Sequence, residues 1–305
     1  MTRRIHIIIN PASGENDLIL NTLNDGLHDG DIEWDVTVTH EQGDGTRLAR
    51  KAIERGDVDI LAVYGGDGTL GEVAAALAGT DLPMMPFAGG TGNAFARSVD
   101  IPLELAKAVS ILSDKDSYTI EAFDTCRVND EYVFIVGGAT GMVANTFSGP
   151  SRKTKDEMGM MAYPMALLQE MLDSKPLEYH LTIDDEEVTV SGVSCLVSNS
   201  GPFNLMGLSV MEKSDPRDGK VDVYMIEGDK AGMLLSALVD MTSINLPAKG
   251  VPHWRAEQVR IDCIPSEAGK FFFDGGITLD LPVDIRVDPA SLRVVKPHKA
   301  RLQAV

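Results

Sequence analysis

Five residues, Gly65-Gly66-Asp67-Gly68-Thr69, follow an apolar run from Asp59 to Tyr64 and open straight into a helix-like stretch. Strand, glycine turn and helix in that order hold phosphate. Glycines let the backbone approach an anion without a Cβ in the way, and the helix turns its unpaired N–H groups and positive dipole end toward it. Asp67 is the odd member. A carboxylate among phosphate-binding amides repels the ligand unless a divalent cation or a proton relay lies between them, so its presence points to metal-assisted phosphoryl chemistry. A tight turn that only caps a helix has the same signature. A second cluster, Gly89-Gly90-Thr91-Gly92-Asn93, follows the apolar run Met84 to Phe87 and precedes a helix-like run from Ala94 to Val99. In an open α/β sheet, loops of neighbouring strands converge beyond the carboxyl ends of the strands, so the two clusters are expected to form one site.

The elements that must position these turns alternate up to about Ile120. Strands are expected over Ile5 to Asn10, Glu33 to Thr39, Asp59 to Tyr64 and Met84 to Phe87, with helices over Asp17 to His28, Thr46 to Arg55, Leu70 to Ala78 and Leu103 to Leu112. The third helix shows the period, with Leu70, Val73, Ala74 and Leu77 on one face. Such alternation means a parallel sheet wrapped by helices. After Asp124 the texture changes to extended runs: Tyr132 to Val136, Tyr179 to Ile183, Val188 to Val197, Val221 to Ile226, Gln258 to Ile264 and Val283 to Val287. A hairpin turn is expected at Asp184-Asp185-Glu186-Glu187. Two helical interruptions, Gly159 to Leu172 and Lys230 to Met241, break this β-rich part, and the first is rich in Met, a composition that suits either core packing or an adaptable apolar lip.

Length and composition bound the rest. A chain of 305 residues exceeds the usual single domain, and we divide it into residues 1–123 with 291–305, and residues 124–290. With 44% hydrophobic and 24% charged residues it is ordinary for a folded enzyme, and no apolar run approaches the roughly 20 residues needed to span a bilayer. The apolar stretch Ile5 to Ile9 behind Arg3 and Arg4 is far short of a signal peptide, which makes a cytoplasmic location the expectation. Cys126, Cys195 and Cys263 are widely separated and read as buried thiols rather than as a disulfide or zinc set. A formal charge of −19 argues against a nucleic-acid partner. Local basic groups, Arg152, Lys153 and Lys155 and then Lys296, Lys299 and Arg301, are docking points for an acidic surface or simply solvated faces.

Taken in order, the motifs make the chain resemble the diacylglycerol kinase catalytic-domain family, which includes bacterial lipid kinases, sphingosine kinases and ceramide kinases. The residues are Asn10-Pro11-Ala12-Ser13-Gly14, the turn at 65 to 69, Gly90-Thr91-Gly92-Asn93-Ala94-Phe95-Ala96-Arg97, Asp124 ahead of Cys126-Arg127-Val128-Asn129, Asp215-Pro216-Arg217-Asp218-Gly219-Lys220, and Asp274-Gly275. The resemblance implies an N-terminal nucleotide-binding α/β domain with a parallel sheet, a C-terminal β-sandwich, and a last strand, here Leu292 to Lys296, that returns to the first domain. It implies an ATP site at Asn10, Thr39, Gly65, Gly66, Asp67, Gly68, Thr69, Leu70, Gly71, Gly90, Thr91, Gly92 and Asn93. Asp67 and Asp124 would organise a catalytic Mg2+, and Asp215, Asp218 and the carbonyl of Lys220 would hold a second one, oxygen ligands that suit a hard cation. Asp274 would be the general base that takes the proton of a lipid hydroxyl, at the end of the apolar run Phe271-Phe272-Phe273.

The chain departs from the family pattern at four places: Gly276 stands where Glu usually follows Asp-Gly, Ala94 where Asp is common, Gly71 where Asn is frequent and Glu15 where Lys is frequent. These leave the nucleotide turns intact and bear on the acceptor, the metal count and the rate. The expected activity is an ATP- and Mg2+-dependent transfer of phosphate to a lipid at a membrane surface, by a peripheral protein whose β-rich part leaves a homodimer open. The rivals are an NAD kinase-like enzyme, which shares the first glycine turn, and a nucleotide-binding regulatory protein with impaired catalysis.

Overall fold

A computed structural model gives the structure of residues 2–14, 18–28, 31–148, 175–201, 204–205, 208–209, 214–227, 251–265, 269–274 and 276–298. The expected helices at Gly159 to Leu172 and Lys230 to Met241, the basic group at 152 to 155, and Lys299 and Arg301 lie outside these residues. The chain divides into two units, one of Met1–Thr125, Val133–Ile135 and Asp288–Val305, the other of Cys126–Tyr132 and Val136–Val287.

The first unit alternates as the sequence predicts: β1 (Arg3–Ile9), α1 (Ile19–Leu27), β2 (Ile32–Val38), α2 (Asp44–Arg55), β3 (Ile60–Gly65), α3 (Asp67–Leu77), β4 (Met84–Ala88), α4 (Ala94–Ser98), α5 (Leu105–Ser113) and β5 (Tyr118–Val128), whose last residues pass into the second unit. Strands β1, β3 and β4 are near-continuous apolar runs, buried throughout in β3 and β4, as parallel strands covered on both faces must be. The parallel order is β2-β1-β3-β4. Since β1 connects outward to β2 and the chain then returns past β1 to β3, right-handed crossovers put α1 on one face and α2 and α3 on the other. Accordingly α1 packs on α5 and α2 on α3. The predicted stripe of α3 is its buried face: Leu70, Val73, Ala74 and Leu77. The order reverses between β1 and β3, and that topological switch point is where an open α/β sheet opens a crevice for ligands.

The second unit is antiparallel. After β6 (Tyr132–Phe134), of which Val133 and Phe134 belong to the first unit and which pairs with β5, β7 (Gly137–Thr140) leads into α6 (Gly141–Ser148), and β8 (Leu177–Ile183), β9 (Glu186–Gly192) and β10 (Ser194–Ser198) follow. Then come the short pair β11 (Asn204–Leu205) and β12 (Leu208–Ser209), β13 (Val221–Ile226), β14 (His253–Ala256), β15 (Gln258–Ile264), β16 (Lys270–Phe273), β17 (Ile277–Asp280) and β18 (Val283–Pro297). One sheet runs β14-β13-β10-β7-β16-β17, and the other joins the start of β18 to β15, β8 and β9, giving a β-sandwich. From Asp288 onward β18 belongs to the first unit, where Val294 lies parallel to Met84 of β4.

Two expectations change. The run Val188 to Val197 is not one strand: it breaks after Gly192, and β9 and β10 enter different sheets. A Cβ at Gly192 would lie 2.3 Å from Met225 Sδ and 2.8 Å from the Ile226 carbonyl, so the chain turns there against β13, and Val193 N–H donates to that carbonyl. Conversely, Val283 to Val287 and Leu292 to Lys296 are parts of one 15-residue strand, bent at Ala290, where φ is +51°. The three cysteines are buried and form no disulfide with one another, and burial pushes the Cys195 thiol up to about 12, as inert structural thiols require. Among the described residues no helix is long and apolar enough to cross a membrane.

Candidate active site

The first unit gathers the glycine turns at the carboxyl ends of β1, β3 and β4. Asn10 follows β1; its Nδ2 donates to Thr69 Oγ1 at 2.9 Å and its Oδ1 accepts Ala12 N–H at 3.0 Å, so one side chain ties the loops on both sides of the switch point. Thr39, just past β2, is buried, and its N–H donates to the Ile9 carbonyl at 2.9 Å. The two glycine turns touch through backbone: Gly89 N–H donates to the Gly65 carbonyl at 2.9 Å, and a Cβ on Gly90 would stand 2.6 Å from Gly66 Cα. Only glycine fits at position 90. Asn93, at φ +49°, closes the second turn on itself, its Oδ1 accepting Gly90 N–H at 2.8 Å and its Nδ2 donating to the Gly90 carbonyl at 2.7 Å. Thr91 and Gly92 are exposed at the tip of that turn.

Asp67 joins the turns more firmly than any other side chain. Its Oδ2 accepts Ala94 N–H and its Oδ1 accepts Phe95 N–H, both at 3.0 Å, so it caps α4 rather than the helix it begins. Charge-assisted bonds of this kind are worth about 1.5–3 kcal/mol each. The first-turn N–H groups of α3, those of Asp67, Gly68 and Thr69, belong to the same crevice, and Leu70 N–H closes the helix onto the Gly66 carbonyl at 3.0 Å. Gly71 is buried against the sheet side of α3.

Asp124 is held elsewhere. It is 2% exposed, and its Oδ1 accepts the N–H of Ala290, the bend of β18, at 2.8 Å. Beside it Thr125 Oγ1 meets Ser291 Oγ at 2.9 Å, and the Ser291 carbonyl takes the N–H of Gly79, just beyond the C-terminal end of α3, whereas Asp67 begins that helix. Asp67 thus holds the Ala94 and Phe95 amides and Asp124 holds that of Ala290. What links their neighbourhoods is aromatic: Phe95, whose N–H Asp67 holds, packs edge-on against Phe123 with ring centroids 6.5 Å apart.

Two further carboxylates, invisible as site residues in the sequence, build the loop after β2. Glu72 of α3 accepts Gly43 N–H at 2.8 Å and Gly45 N–H at 2.9 Å, capping α2 from across the helix pair. Asp44, buried at the start of α2, accepts His40 N–H at 2.8 Å and pairs with Arg47; the His40 N–H and the guanidinium hold its carboxyl at about 2, well below the usual range.

In the second unit Asp274 ends β16 at φ +40°, a left-handed conformation that Asp tolerates better than most residues. Its Oδ1 accepts Val136 N–H at 3.1 Å and Gly137 N–H at 3.2 Å, donors that orient the carboxylate and replace water around it. The apolar strand before it is packed as expected: Phe271 stacks on Phe273, which meets Tyr132 edge-on. Asp215 and Asp218 lie on one turn before β13. Asp215 Oδ1 accepts from Arg217 Nε at 3.0 Å, Asp218 Oδ1 accepts Lys220 N–H at 3.0 Å, and Asp218 Oδ2 pairs with Arg255. Burial raises the Asp218 carboxyl, Arg255 offsets that, and Asp222 and Asp215 add repulsion. Among the described residues no three His, Cys, Asp or Glu side chains converge as a ready metal centre.

Residues 4–128 match the model of the diacylglycerol kinase catalytic domain, and residues 138–296 match that of the YegS C-terminal NAD kinase beta sandwich-like domain, more than half of the chain by itself. The chain belongs to the diacylglycerol kinase catalytic-domain family. A protein of Mycobacterium tuberculosis (strain CDC 1551 / Oshkosh) named diacylglycerol kinase is 28% identical over 260 residues, covering 84% of this chain and 82% of that one. An uncharacterized protein, sll0036, of Synechocystis sp. (strain ATCC 27184 / PCC 6803 / Kazusa) is 26% identical over 317 residues, 97% of this chain and 71% of that one. Among solved structures, a diacylglycerol kinase from Bacillus anthracis str. Sterne superposes with a TM-score of 0.76 at 20% identity over 98% of both chains, a likeness of fold. This member of the family therefore has the two-part α/β and β-sandwich architecture of a lipid kinase.

Proposed function

We propose that the protein is an ATP- and Mg2+-dependent lipid kinase that transfers the γ-phosphate to a lipid hydroxyl. The observation that carries this reading is the junction of the two glycine turns beyond β3 and β4, fixed by Asp67 to Ala94 and Phe95 and tied across the β1/β3 switch point by Asn10 to Thr69. ATP would lie with its phosphates at the turns 65–71 and 90–93 and against Asn10 and Thr39, where the first-turn amides of α3 neutralise charge.

The donor chemistry fits magnesium. Asp67 on the nucleotide turn would organise the catalytic ion, with Asp124 assisting through water, and Asp215, Asp218 and the Lys220 carbonyl offer an all-oxygen set for a structural one. When bound beside the phosphates, Mg2+ supplies neutralisation of the charge that develops on the transferred group. The protein's own task is then positioning and one proton transfer. Asp274, its carboxylate oriented by the Val136 and Gly137 amides, would take the proton from the lipid hydroxyl as that oxygen bonds the γ-phosphorus and the bond from the γ-phosphorus to the β-phosphate bridging oxygen breaks, with ADP as the leaving group. Diacylglycerol, ceramide, a long-chain base and phosphatidylglycerol each present such a hydroxyl on an apolar body, and the protein would meet them as a peripheral cytoplasmic enzyme at the membrane surface.

The test is transfer from γ-labelled ATP, with Mg2+, to micelles of each of these lipids, with NAD as a control acceptor. A labelled lipid, and loss of at least 100-fold in kcat in Asp274→Asn with ATP affinity retained, is the expected result. Label on NAD alone moves the protein to the NAD kinase-like reading. ATP binding with no transfer moves it to the regulatory one, and undiminished turnover in Asp274→Asn removes the base from the scheme.

A further inference from the structure

The turn proposed above as the structural Mg2+ site carries its own cation. Strands β13 and β14 are antiparallel, with Asp222 directly opposite Arg255 and Tyr224 opposite His253. Arg255 therefore springs from the strand beside Asp222 and reaches past it: its guanidinium pairs with Asp218 Oδ2, and its Nε lies 3.6 Å from Asp222 Oδ1. Asp222 is only 7% exposed; His253 Nε2 stands 2.8 Å from Asp222 Oδ1, and the imidazole stacks on Tyr224 at 4.3 Å between ring centroids. Asp215, on the same turn, pairs with Arg217 at 3.0 Å. Arg217 is a neighbour on the same exposed turn as the carboxylate it pairs with. Arg255 differs from it, because strand register places it over two carboxylates at once.

We infer that Arg255 is the resident cation of the Asp215–Asp218 turn, a built-in competitor that sets how tightly the protein takes Mg2+ there. The inference rests on the metal reading proposed above. Both cations answer the same need: Asp218 and Asp222 are like charges on one short stretch, and close carboxylates need a positive neighbour to stay ionised together. A guanidinium satisfies this from outside the turn, with planar N–H donors. Mg2+ needs the same Asp218 oxygens in an octahedral shell at about 2.1 Å. The two cannot share Asp218 Oδ2, so metal entry requires Arg255 to leave and turn to solvent, and the affinity for Mg2+ is lowered by the strength of the ion pair it breaks. The pair sits on a partly exposed surface, Arg255 at 48% and Asp218 at 29%, where such exchange is feasible.

The experiment titrates the full-length protein with MgCl2 and reads the dissociation constant by calorimetry and by the shift of the thermal midpoint, neither of which depends on turnover. Arg255→Gln is expected to bind Mg2+ about tenfold more tightly than the wild type, the equivalent of about 1.4 kcal/mol. Arg255→Lys, which keeps the positive charge, is expected to stay within about threefold of the wild type, a step of roughly 0.7 kcal/mol on the same scale. Adding Asp218→Asn to Arg255→Gln must abolish the gain. Unchanged or weaker binding in Arg255→Gln overturns the competition while leaving the metal site standing. A gain that survives Asp218→Asn places the ion elsewhere and overturns it too. Absence of Mg2+ binding in every variant overturns the metal reading on which it rests.

Discussion

The contact between the two glycine turns can be broken from one side and not from the other. A Cβ built on Gly90 would stand 2.6 Å from Gly66 Cα, where ordinary contact begins near 3.4 Å, so the turns must part by about 0.8 Å in Gly90→Ala. Backbone faces backbone there, and no side chain can swing away. The joints that resist parting are the Gly89 N–H to Gly65 carbonyl bond at 2.9 Å and the two bonds from Asp67 at 3.0 Å. Stretched by that amount they would pass beyond hydrogen-bonding distance, so the variant either strains the turns or loses a joint, at about 1–3 kcal/mol. The mirror change, Gly66→Ala, places its Cβ 3.4 Å from Gly90 Cα, a normal contact, and φ at Gly66 is −83°, which alanine adopts freely. Its cost should be about 0.5–1 kcal/mol, the difference between glycine and alanine at a helix N-cap, with the joint between the turns intact. Equilibrium binding of ATP with Mg2+, followed by fluorescence of a labelled nucleotide, is the assay. Since only the fraction of molecules with joined turns binds, Gly90→Ala should weaken apparent affinity by roughly 5- to 150-fold, whereas any loss in Gly66→Ala, whose joint stays intact, reflects its Cβ beside the bound phosphates. Undiminished affinity in Gly90→Ala would refute the claim that the joined turns are the nucleotide site.

Two further outcomes follow from carboxylates that hold backbone amides. The Asp44 carboxyl lies at about 2 in the folded chain against an ordinary 3.8, so its contribution to stability is fully present above the unfolded value and is lost as pH falls through about 2. The difference in urea midpoint between the wild type and Asp44→Asn should therefore shrink between pH 4 and pH 2; a difference that stays constant over that range contradicts the assignment. Asp124→Ala leaves the part-buried Ala290 N–H without its acceptor and should cost about 0.5–1.5 kcal/mol, whereas Asp124→Asn keeps an acceptor oxygen and should recover most of it. Urea unfolding of both variants checks this, and if both lose activity with stability intact, Asp124 acts chemically and not through Ala290.

The glycine turns, the buried stripe of α3 and the alternation of strand and helix were legible because each is written in neighbouring residues. What joins them was not. Nothing near Asp67 in the chain reveals that its oxygens serve Ala94 and Phe95, because that pairing depends on β4 lying beside β3. Glu72 carries no site motif in the sequence, yet it caps α2, since α2 and α3 pack on the same face. The split at Gly192 was hidden for the opposite reason. Its surroundings are uniformly β-forming, and only the close approach of Met225 and Ile226 shows why the chain must turn there. Arg255 is meaningful only through register, which sets it opposite Asp222 although 33 residues separate them in sequence.

The position of Asp67 resolves the tension of a carboxylate inside an anion site. Its two amide partners are the first donors of α4, so the N-terminal end of that helix is already neutralised. In the proposed nucleotide site the donors of α3 would therefore face the phosphates. Asp67 thus spends part of its negative charge on holding the second turn in place, which lowers the repulsion a triphosphate meets, and each oxygen retains acceptor capacity for a cation or its water. A neutral isostere would keep at most one of the two amide bonds, since an Asn Nδ2 would confront an N–H. Assembly of the turns and tolerance of the phosphate charge therefore depend on the same carboxylate, and no substitution at position 67 can remove one role without disturbing the other.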